Sequence, residues 1–388
     1  MTAITEFKID VPEAVLTDLR ERLAKARLPE DFANDGWQYG TNGAYLRELV
    51  GYWKDSYDWR AQERQINRFP HFRTELEGIP IHFIHVRGKG ERPMPLILSH
   101  GWPWTFWDFH KMIGPLTDPV AHGGNAADAF DVVVPSLPGF GFSTPLTVPG
   151  INFWRTADLW VQLMERLGYS RFSAYGADWG ALITSQLGHK HADRLYGIHT
   201  NLPLPLDLFF CPLPEAGEFA DDEKGWAERN AHFFAAESGY SAIQATKPQS
   251  LAYGLNDSPV AQCAWILEKR RSWSDCGGDV EKVFSKDELL TTMMIYWVTQ
   301  SGGSAARYYY ECAHHPWQPS HNRSPRVEAP SGIAIFENEV LHWPRRWVEK
   351  TYDVRRYRRF PHGGHFVPAE QPTLLVDELR AFFRPLRA

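Results

Sequence analysis

Short apolar runs that each stop at a turn, and that alternate with helical stretches, are the feature of this sequence that most constrains its fold. The runs at 96–98, 132–134 and 172–175 end at His100-Gly101, Pro135 and Gly176. Continuous apolar strands between helices are typical of a parallel sheet covered on both faces. Ligands bind such sheets at the carboxyl ends of the strands, so the residues after each run are the candidates for chemistry.

The strand pattern is interrupted once and then returns. Residues 201–325 hold helical stretches rich in Trp and Tyr, and an apolar strand reappears at 332–336. A helical insertion between two halves of a sheet is most simply a cap over the strand ends. We therefore expect an α/β protein in four parts: a meander over 1–90, a core over 91–200, a cap over 201–325 and the second half of the core over 326–388.

Two local patterns shape the expected meander. The first helix should start at Asp10-Val11-Pro12-Glu13, with Asp10 as its N-cap and Pro12 in its first turn. An apolar stripe at helical spacing then predicts a helix docked on the body of the protein; it comprises Val15, Leu16, Leu19 and Leu23. The segments 72–76 and 79–86 flank Glu77-Gly78 and predict a hairpin.

Composition and charge exclude several classes of protein. Hydrophobic residues make up 43% and charged residues 23% of the 388 residues, which is ordinary for a globular chain. The 41 basic and 47 acidic side chains leave a net charge of −6, which disfavours nucleic acid and anionic membranes as partners. Four cysteines without C-x-x-C spacing suit a reducing cytoplasm, and no apolar run approaches the length of a membrane span. We predict a cytoplasmic protein without nucleic-acid or membrane partners, and a homodimer is left open.

Two smaller clusters carry weaker signals. Cys312, His314 and His315 lie close together without a paired set of ligands, so neither a metal nor a cofactor is predicted. Residues 355–359 are a basic run with one tyrosine, and a solvated face explains this run better than contact with nucleic acid.

The strongest chemical signal is Gly176-Ala177-Asp178-Trp179-Gly180, which follows an apolar strand and opens a helix. Small residues two before and two after a central residue permit a sharp strand-turn-helix elbow that exposes the central side chain. Here that side chain is a carboxylate, which can act as a nucleophile and form a covalent ester. The alternative is that Asp178 only caps the helix.

The turn His100-Gly101-Trp102-Pro103 follows another apolar strand. Such a turn can direct the backbone N–H of Trp102 to the same point as the N–H of Trp179, and two such donors make an oxyanion hole. His100 is expected to brace this turn and not to take part in the chemistry.

A Gly-rich loop near the C-terminus, Pro361-His362-Gly363-Gly364-His365, supplies the expected base. His365 is preferred and His362 is the alternative. An acid partner should follow the strand that ends at Phe336, where Glu337 and Glu339 both stand. The order nucleophile, acid, histidine along the chain is the order of α/β-hydrolases.

With these motifs the chain resembles the microsomal-type epoxide hydrolases over nearly its whole length. Further matching segments are Asn67-Arg68-Phe69, 82–86 and 137–143. Two cap segments are similar to those that carry the ring-opening tyrosines of that family, Glu237-Ser238-Gly239-Tyr240 and Arg307-Tyr308-Tyr309-Tyr310-Glu311. The chain departs from the family in having Trp104, where relatives usually have Gly, and Glu337, where they often have Pro.

The resemblance implies an α/β-hydrolase fold with a mostly parallel sheet, helices on both faces, an inserted helical cap and an N-terminal meander. It places the acid at Glu339 and the tyrosines at Tyr240 and, within the run of three, best at Tyr309. We also expect Trp104 and Tyr308 to shape the substrate pocket.

The implied activity is the hydrolysis of a small-molecule epoxide by water to a vicinal diol, through an ester on Asp178, without a cofactor. The 14% share of aromatic residues suggests a bulky or aryl epoxide, from detoxification or natural-product assembly. A haloalkane dehalogenase would share the elbow but needs halide-binding donors in place of two cap tyrosines. An idle binding protein would need none of Asp178, Glu339 and His365.

Overall fold

The computed structural model describes residues 3–387, and the strands of this part form one nine-stranded sheet. The strands are β1 (Thr5–Phe7), β2 (His71–Leu76), β3 (Ile79–Val86), β4 (Met94–Ser99), β5 (Phe130–Pro135), β6 (Phe172–Gly176), β7 (Leu195–Thr200), β8 (Val327–Phe336) and β9 (Tyr352–Phe360). Their order across the sheet is β1-β2-β3-β5-β4-β6-β7-β8-β9.

The sheet is parallel from β5 to β9 and antiparallel at its N-terminal edge. β5, β4, β6, β7, β8 and β9 pair in parallel, whereas β1, β2 and β3 are joined by antiparallel pairs. The predicted hairpin is confirmed, with Glu77 and Gly78 both at positive φ in the turn between β2 and β3. β3 also pairs with β5, from Phe83 opposite Pro135 to Val86 opposite Val132, so hydrogen bonds cross the expected boundary at residue 90.

Helices cover both faces of the sheet and form the cap. Outside the cap they are α1 (Glu13–Ala24), α2 (Gly43–Asp55), α3 (Trp59–Ile66), α4 (His110–Thr117), α5 (Phe153–Arg166), α6 (Trp179–Lys190), α13 (Arg345–Thr351), α14 (Val367–Glu370) and α15 (Pro372–Phe383). Between β7 and β8 lie α7 (Lys224–His232), a π-helical turn (Phe233–Glu237), α8 (Gly239–Thr246), α9 (Pro248–Asp257), α10 (Pro259–Ser272), α11 (Lys286–Thr299) and α12 (Gly302–His314). The α/β-hydrolase fold is thereby confirmed.

The first helix starts later than its sequence predicts. α1 begins at Glu13, and the prediction that Asp10 caps it is wrong, since Pro12 occupies the N-cap without a side-chain hydrogen bond. The reason lies in the preceding residue. The N–H of Val11 donates to Glu63 at 2.8 Å and its carbonyl accepts from Arg60 at 2.7 Å, which holds the chain extended up to Pro12.

The helices α1 and α2, and the loop between them, bind the cap. Thr41 donates to the carbonyl of Ala264 at 2.7 Å, and Tyr52 donates to Asp287 at 2.9 Å. Arg22 of α1 also pairs with Asp257 at 2.8 Å. Residues upstream of β2 therefore fasten the cap, while β1–β3 extend the sheet beneath it.

Candidate active site

Asp178 stands on a sharp turn between β6 and α6. Its φ of 54° and ψ of −126° are a strained combination for a residue with a side chain. Flanking glycines make room for the turn: a Cβ on Gly176 would lie 1.9 Å from the carbonyl oxygen of Gly180, and one on Gly180 would lie 1.8 Å from that of Ser99. The turn therefore has the geometry of the predicted elbow.

One carboxylate oxygen of Asp178 accepts hydrogen bonds from two backbone N–H groups. Its Oδ1 accepts from the N–H of Trp102 at 2.8 Å and from that of Trp179 at 2.7 Å. A capping side chain would reach the second or third N–H of the helix, so this arrangement differs from a simple N-cap. A Cβ on Gly101 would lie 1.9 Å from Oδ1, and only glycine permits this approach.

His100 lies under this turn and has the bracing position that the sequence predicts. Its Nδ1 lies 2.9 Å from the carbonyl oxygen of Gly101, and its Nε2 accepts from the N–H of Leu137 at 3.1 Å. Burial lowers the pKa of His100 to about 4, so the ring is neutral and fits these two bonds. It thus connects the Trp102 turn to the segment after β5.

The other oxygen of Asp178 faces a histidine. Nε2 of His365 lies 3.1 Å from Asp178 Oδ2, and its Nδ1 lies 2.6 Å from Glu339 Oε1. Burial opposes the charge on His365, but the two carboxylates outweigh it and raise the pKa of the imidazole to about 10. The three side chains form a continuous line of hydrogen bonds.

The choice between the two glutamates after β8 follows from how that loop turns. Glu339 is buried, and its Oε2 accepts from Asn201 at 3.1 Å. Glu337 points elsewhere, since it accepts from the indole N–H of Trp226 at 3.0 Å and from Arg359 at 2.9 Å. The alternative base is also remote from the line, because the side chain of His362 is 80% exposed.

Two tyrosines of the cap stand over Asp178. The ring of Tyr240 stacks on Trp102 at 4.9 Å, and the ring of Tyr309 lies 5.7 Å from that of Tyr240 in an edge-to-face pair. Burial and the Asp178 carboxylate raise the pKa of Tyr240, and burial raises that of Tyr309 well above its usual value. Both hydroxyls are therefore neutral donors at pH 7.

A cavity of about 490 Å³ connects these groups. Asp178, His365, Tyr240 and Tyr309 are its reactive polar groups, and apolar side chains form most of the rest of its lining, among them Leu182, Leu202, Leu208, Phe209, Phe233, Trp273 and Leu341. The site is thus a mostly apolar chamber with the reactive groups of the core facing those of the cap, and a few polar groups in apolar surroundings are usual for small-molecule sites.

Neither Trp104 nor Tyr308 is among the residues that line this cavity, and the prediction for both needs correction. Trp104 is fully buried behind His365, with its ring edge-on at 5.5 Å. Tyr308 turns to the core and lies 2.8 Å from the Thr156 hydroxyl. Helix geometry explains the second case, since successive residues of α12 point in directions about 100° apart.

Two residues of the site escape the sequence patterns. Asn201 joins Glu339 to the hydroxyl of Tyr175, from which it accepts at 2.8 Å. Glu370 accepts from the N–H of Gly364 at 2.9 Å and of Phe366 at 2.7 Å, on either side of His365. A signal for Asn201 was present, because it directly follows strand β7.

In the two weaker clusters of the sequence, side chains form ion pairs with nearby carboxylates. His315 pairs with Glu311 at 3.0 Å, and no group of three or more candidate ligands for a metal occurs within residues 3–387. In the basic run, Arg356 pairs with Glu378 at 2.6 Å. None of the helices described in this structure has the length and hydropathy to cross a bilayer.

Comparison with known proteins places this geometry in a family. Residues 4–109 match the epoxide hydrolase N terminus, and residues 94–372 match the alpha/beta hydrolase fold. A Stigmatella aurantiaca protein assigned as an epoxide hydrolase is 45% identical over 99% of this chain and 86% of its own length. Epoxide hydrolase 1 of Sus scrofa is 36% identical over 98% of this chain and 88% of its own length.

A solved structure has the same architecture throughout. The juvenile hormone epoxide hydrolase of the silkworm Bombyx mori superposes with a TM-score of 0.87 at 28% identity, and covers 100% of this chain and 95% of its own. The chain therefore belongs to the epoxide hydrolases of the α/β-hydrolase fold. It is a hydrolytic enzyme, and a small-molecule epoxide and water are its substrates.

Proposed function

We propose that the enzyme opens its epoxide through a covalent ester on Asp178. The observation that carries this proposal is that the two oxygens of Asp178 have different surroundings. Oδ1 accepts from two N–H donors, while Oδ2 faces the cavity and His365. Oδ2 forms the bond to an epoxide carbon as the ring C–O bond breaks. Tyr240 and Tyr309 hydrogen-bond the ring oxygen, and one of them gives it a proton.

Hydrolysis of the ester uses the same residues in a second step. Alkylation removes the negative charge of Asp178, one of the two that hold the proton on His365. His365 then releases this proton to the tyrosine that lost its own, and is free to take a proton from water. The hydroxide attacks the ester carbonyl carbon, and the N–H groups of Trp102 and Trp179 stabilise the oxyanion on Oδ1. As the Oδ2–Cγ bond breaks, His365 returns its proton to the leaving Oδ2 and the diol departs. The carboxyl group of Asp178 then gives its proton to His365, which restores the starting state.

The cavity supports an epoxide with a bulky apolar or aryl substituent. Besides the reactive groups and two serines, Ser238 and Ser241, its lining consists mainly of leucine and aromatic side chains. These walls favour a substrate by burying apolar area, at roughly 25 cal/mol per Å². The haloalkane alternative is disfavoured by the position of Tyr240 and Tyr309 over the nucleophile, where an epoxide oxygen needs a donor.

A single turnover in heavy-oxygen water tests the ester. With enzyme in excess, the first diol should contain no heavy oxygen, because its new hydroxyl comes from Asp178 Oδ2 and the label enters the carboxylate. A diol that is fully labelled in the first turnover would mean direct attack by water and would refute the proposal. Asp178→Ala should be inactive yet retain the circular dichroism spectrum of the folded enzyme.

A cytoplasmic location and a homodimer stay predictions. The location rests on the four cysteines, all of which are free thiols.

A further inference from the structure

A fully buried ion pair joins the cap to the turn that carries the Trp102 donor. Arg270, near the end of α10, binds Asp108 through Nη1 to Oδ1 at 2.6 Å and through Nη2 to Oδ2 at 3.0 Å. The two side chains are only 1% and 5% exposed. A buried ion pair contributes little to the free energy of unfolding compared with apolar side chains of the same size. The role of this pair must therefore come from the other groups that Arg270 contacts.

Arg270 also contacts both halves of the hydrolytic machinery. Its Nη2 donates to the carbonyl oxygen of Pro103 at 2.9 Å, one residue beyond the Trp102 N–H that binds Asp178. Its guanidinium lies 4.3 Å from the centre of the Phe366 ring, directly after His365. Three residues along the chain, the carbonyl of Trp273 accepts the backbone N–H of His365 at 2.8 Å.

We propose that Arg270, held by Asp108, is a positioning residue for ester hydrolysis: it fixes the Trp102 N–H in the oxyanion hole. The guanidinium is rigid and bidentate on Asp108, so the direction of its bond to Pro103 is set. That bond in turn fixes the peptide that follows Pro103, and the proline ring, which restricts φ at this residue, transmits the restraint back to Trp102. The inference rests on the ester mechanism proposed above.

The expected kinetic signature distinguishes positioning from simple docking of the cap. Negative charge leaves Oδ1 when the ester forms and returns to it when the ester is hydrolysed, so a displaced Trp102 N–H harms hydrolysis more than ring opening. Loss of cap docking would instead harm ring opening, because Tyr240 and Tyr309 stand on the cap. The fraction of enzyme present as ester at steady state separates the two.

The test uses a double variant that removes both charges, Arg270→Met with Asp108→Asn. Asparagine keeps an acceptor for the N–H of Thr105, which Asp108 binds at 2.8 Å, and no buried charge is left unpaired. Hydrolysis of the ester should slow by about tenfold or more, and quenched samples should show more protein with an added substrate mass on the Asp178 peptide. Arg270→Lys, with one ammonium for two partners, should give a smaller effect.

The matched control is Arg271→Met on the same helix. Arg271 donates to the carbonyl of Gly278 at 2.9 Å and lies against Trp37, away from the site. Its ester fraction should equal that of the wild type. If the folded double variant shows a wild-type ester fraction, the inference is overturned. Failure of the ester mechanism itself is recognised separately, since His365→Gln in the otherwise intact enzyme would then accumulate no adduct.

Discussion

Each of the two cap tyrosines approaches the nucleophile from its own helix, Tyr240 from α8 and Tyr309 from α12. Their edge-to-face contact, and the stacking of Tyr240 on Trp102, restrict the rotation of both side chains. The position of each hydroxyl is therefore set by packing before a substrate arrives, which is the condition for efficient proton donation.

Replacement of these tyrosines by phenylalanine should slow the first step. Tyr240→Phe or Tyr309→Phe removes one donor and keeps the ring, so each should slow alkylation of Asp178 by about 10- to 100-fold. The double variant should show almost no alkylation in a rapid-quench experiment read by mass spectrometry. Tyr310→Phe is the control, because Tyr310 stacks on His314 and is 37% exposed. Normal turnover of the double variant would place the donor elsewhere, with Tyr308 tested next.

At the scale of elements, the loop after β8 separates two carboxylates that stand two residues apart. Glu339 turns inward to His365, whereas Glu337 joins Trp226 of α7 to Arg359 of β9. One short loop therefore serves both the chemistry and the attachment of the cap.

Glutamine substitutions should separate these two tasks. Glu339→Gln removes the charge that stabilises the imidazolium of His365 and should slow ester hydrolysis by about 10-fold or more. Glu337→Gln should leave hydrolysis nearly unchanged and lower the melting temperature by a few degrees, about 1 kcal/mol. Single-turnover kinetics and thermal unfolding of both variants measure this. An equal or larger kinetic defect at Glu337 would mean that the acid partner is misassigned.

The sequence predicts an element well where neighbouring residues allow only one backbone geometry. Gly176 and Gly180 leave the elbow no alternative, and the apolar runs give the parallel strands directly. It predicts an element's start or a side chain's position poorly where a contact with residues distant in sequence determines it. The start of α1 depends on Glu63 and Arg60, which bind Val11, and the position of Trp104 depends on packing against His365. No local pattern carries either fact.

At the scale of the whole molecule, a chain of buried neutral imidazoles joins the N-terminal strands to the core. His71 bonds the carbonyl of Ile66 and lies 2.9 Å from His82, whose other nitrogen lies 2.9 Å from the Ser136 hydroxyl. Burial lowers the pKa of His71 and lowers that of His82 well below its usual value. A proton added to His71 would set its Nδ1–H against the Nε2–H of His82, and one added to His82 would take away the nitrogen that accepts from the Ser136 hydroxyl.

Stability should therefore fall in mild acid. Because the folded-state pKa values of these rings are depressed, their contribution is complete above about pH 6.5 and is lost as the pH falls below it, by up to about 1.4 kcal/mol per pH unit and ring. His365 has a raised pKa and so works in the opposite sense: its contribution grows as the pH falls to about 6.5 and adds little slope below that, where it is protonated in both states. Both variants compared below keep His365, so this term is common to them. Urea unfolding between pH 7 and 5 should show a shallower dependence for His82→Gln than for His362→Gln. Equal slopes would refute this account.

The contacts between the N-terminal segment and the cap also determine which part of the cap is restrained. Contacts from Arg22, Thr41 and Tyr52 restrain α10, α11 and the end of α9. At the cavity mouth, Leu213 and Phe234 line the chamber and are 37% and 41% exposed. We expect a bulky diol to leave past the stretch from 208 to 238, which these contacts do not restrain and which carries neither Tyr240 nor Tyr309. Mutation could then change how fast product departs, and so the range of substrates an evolving lineage can use, without disturbing bond making or breaking.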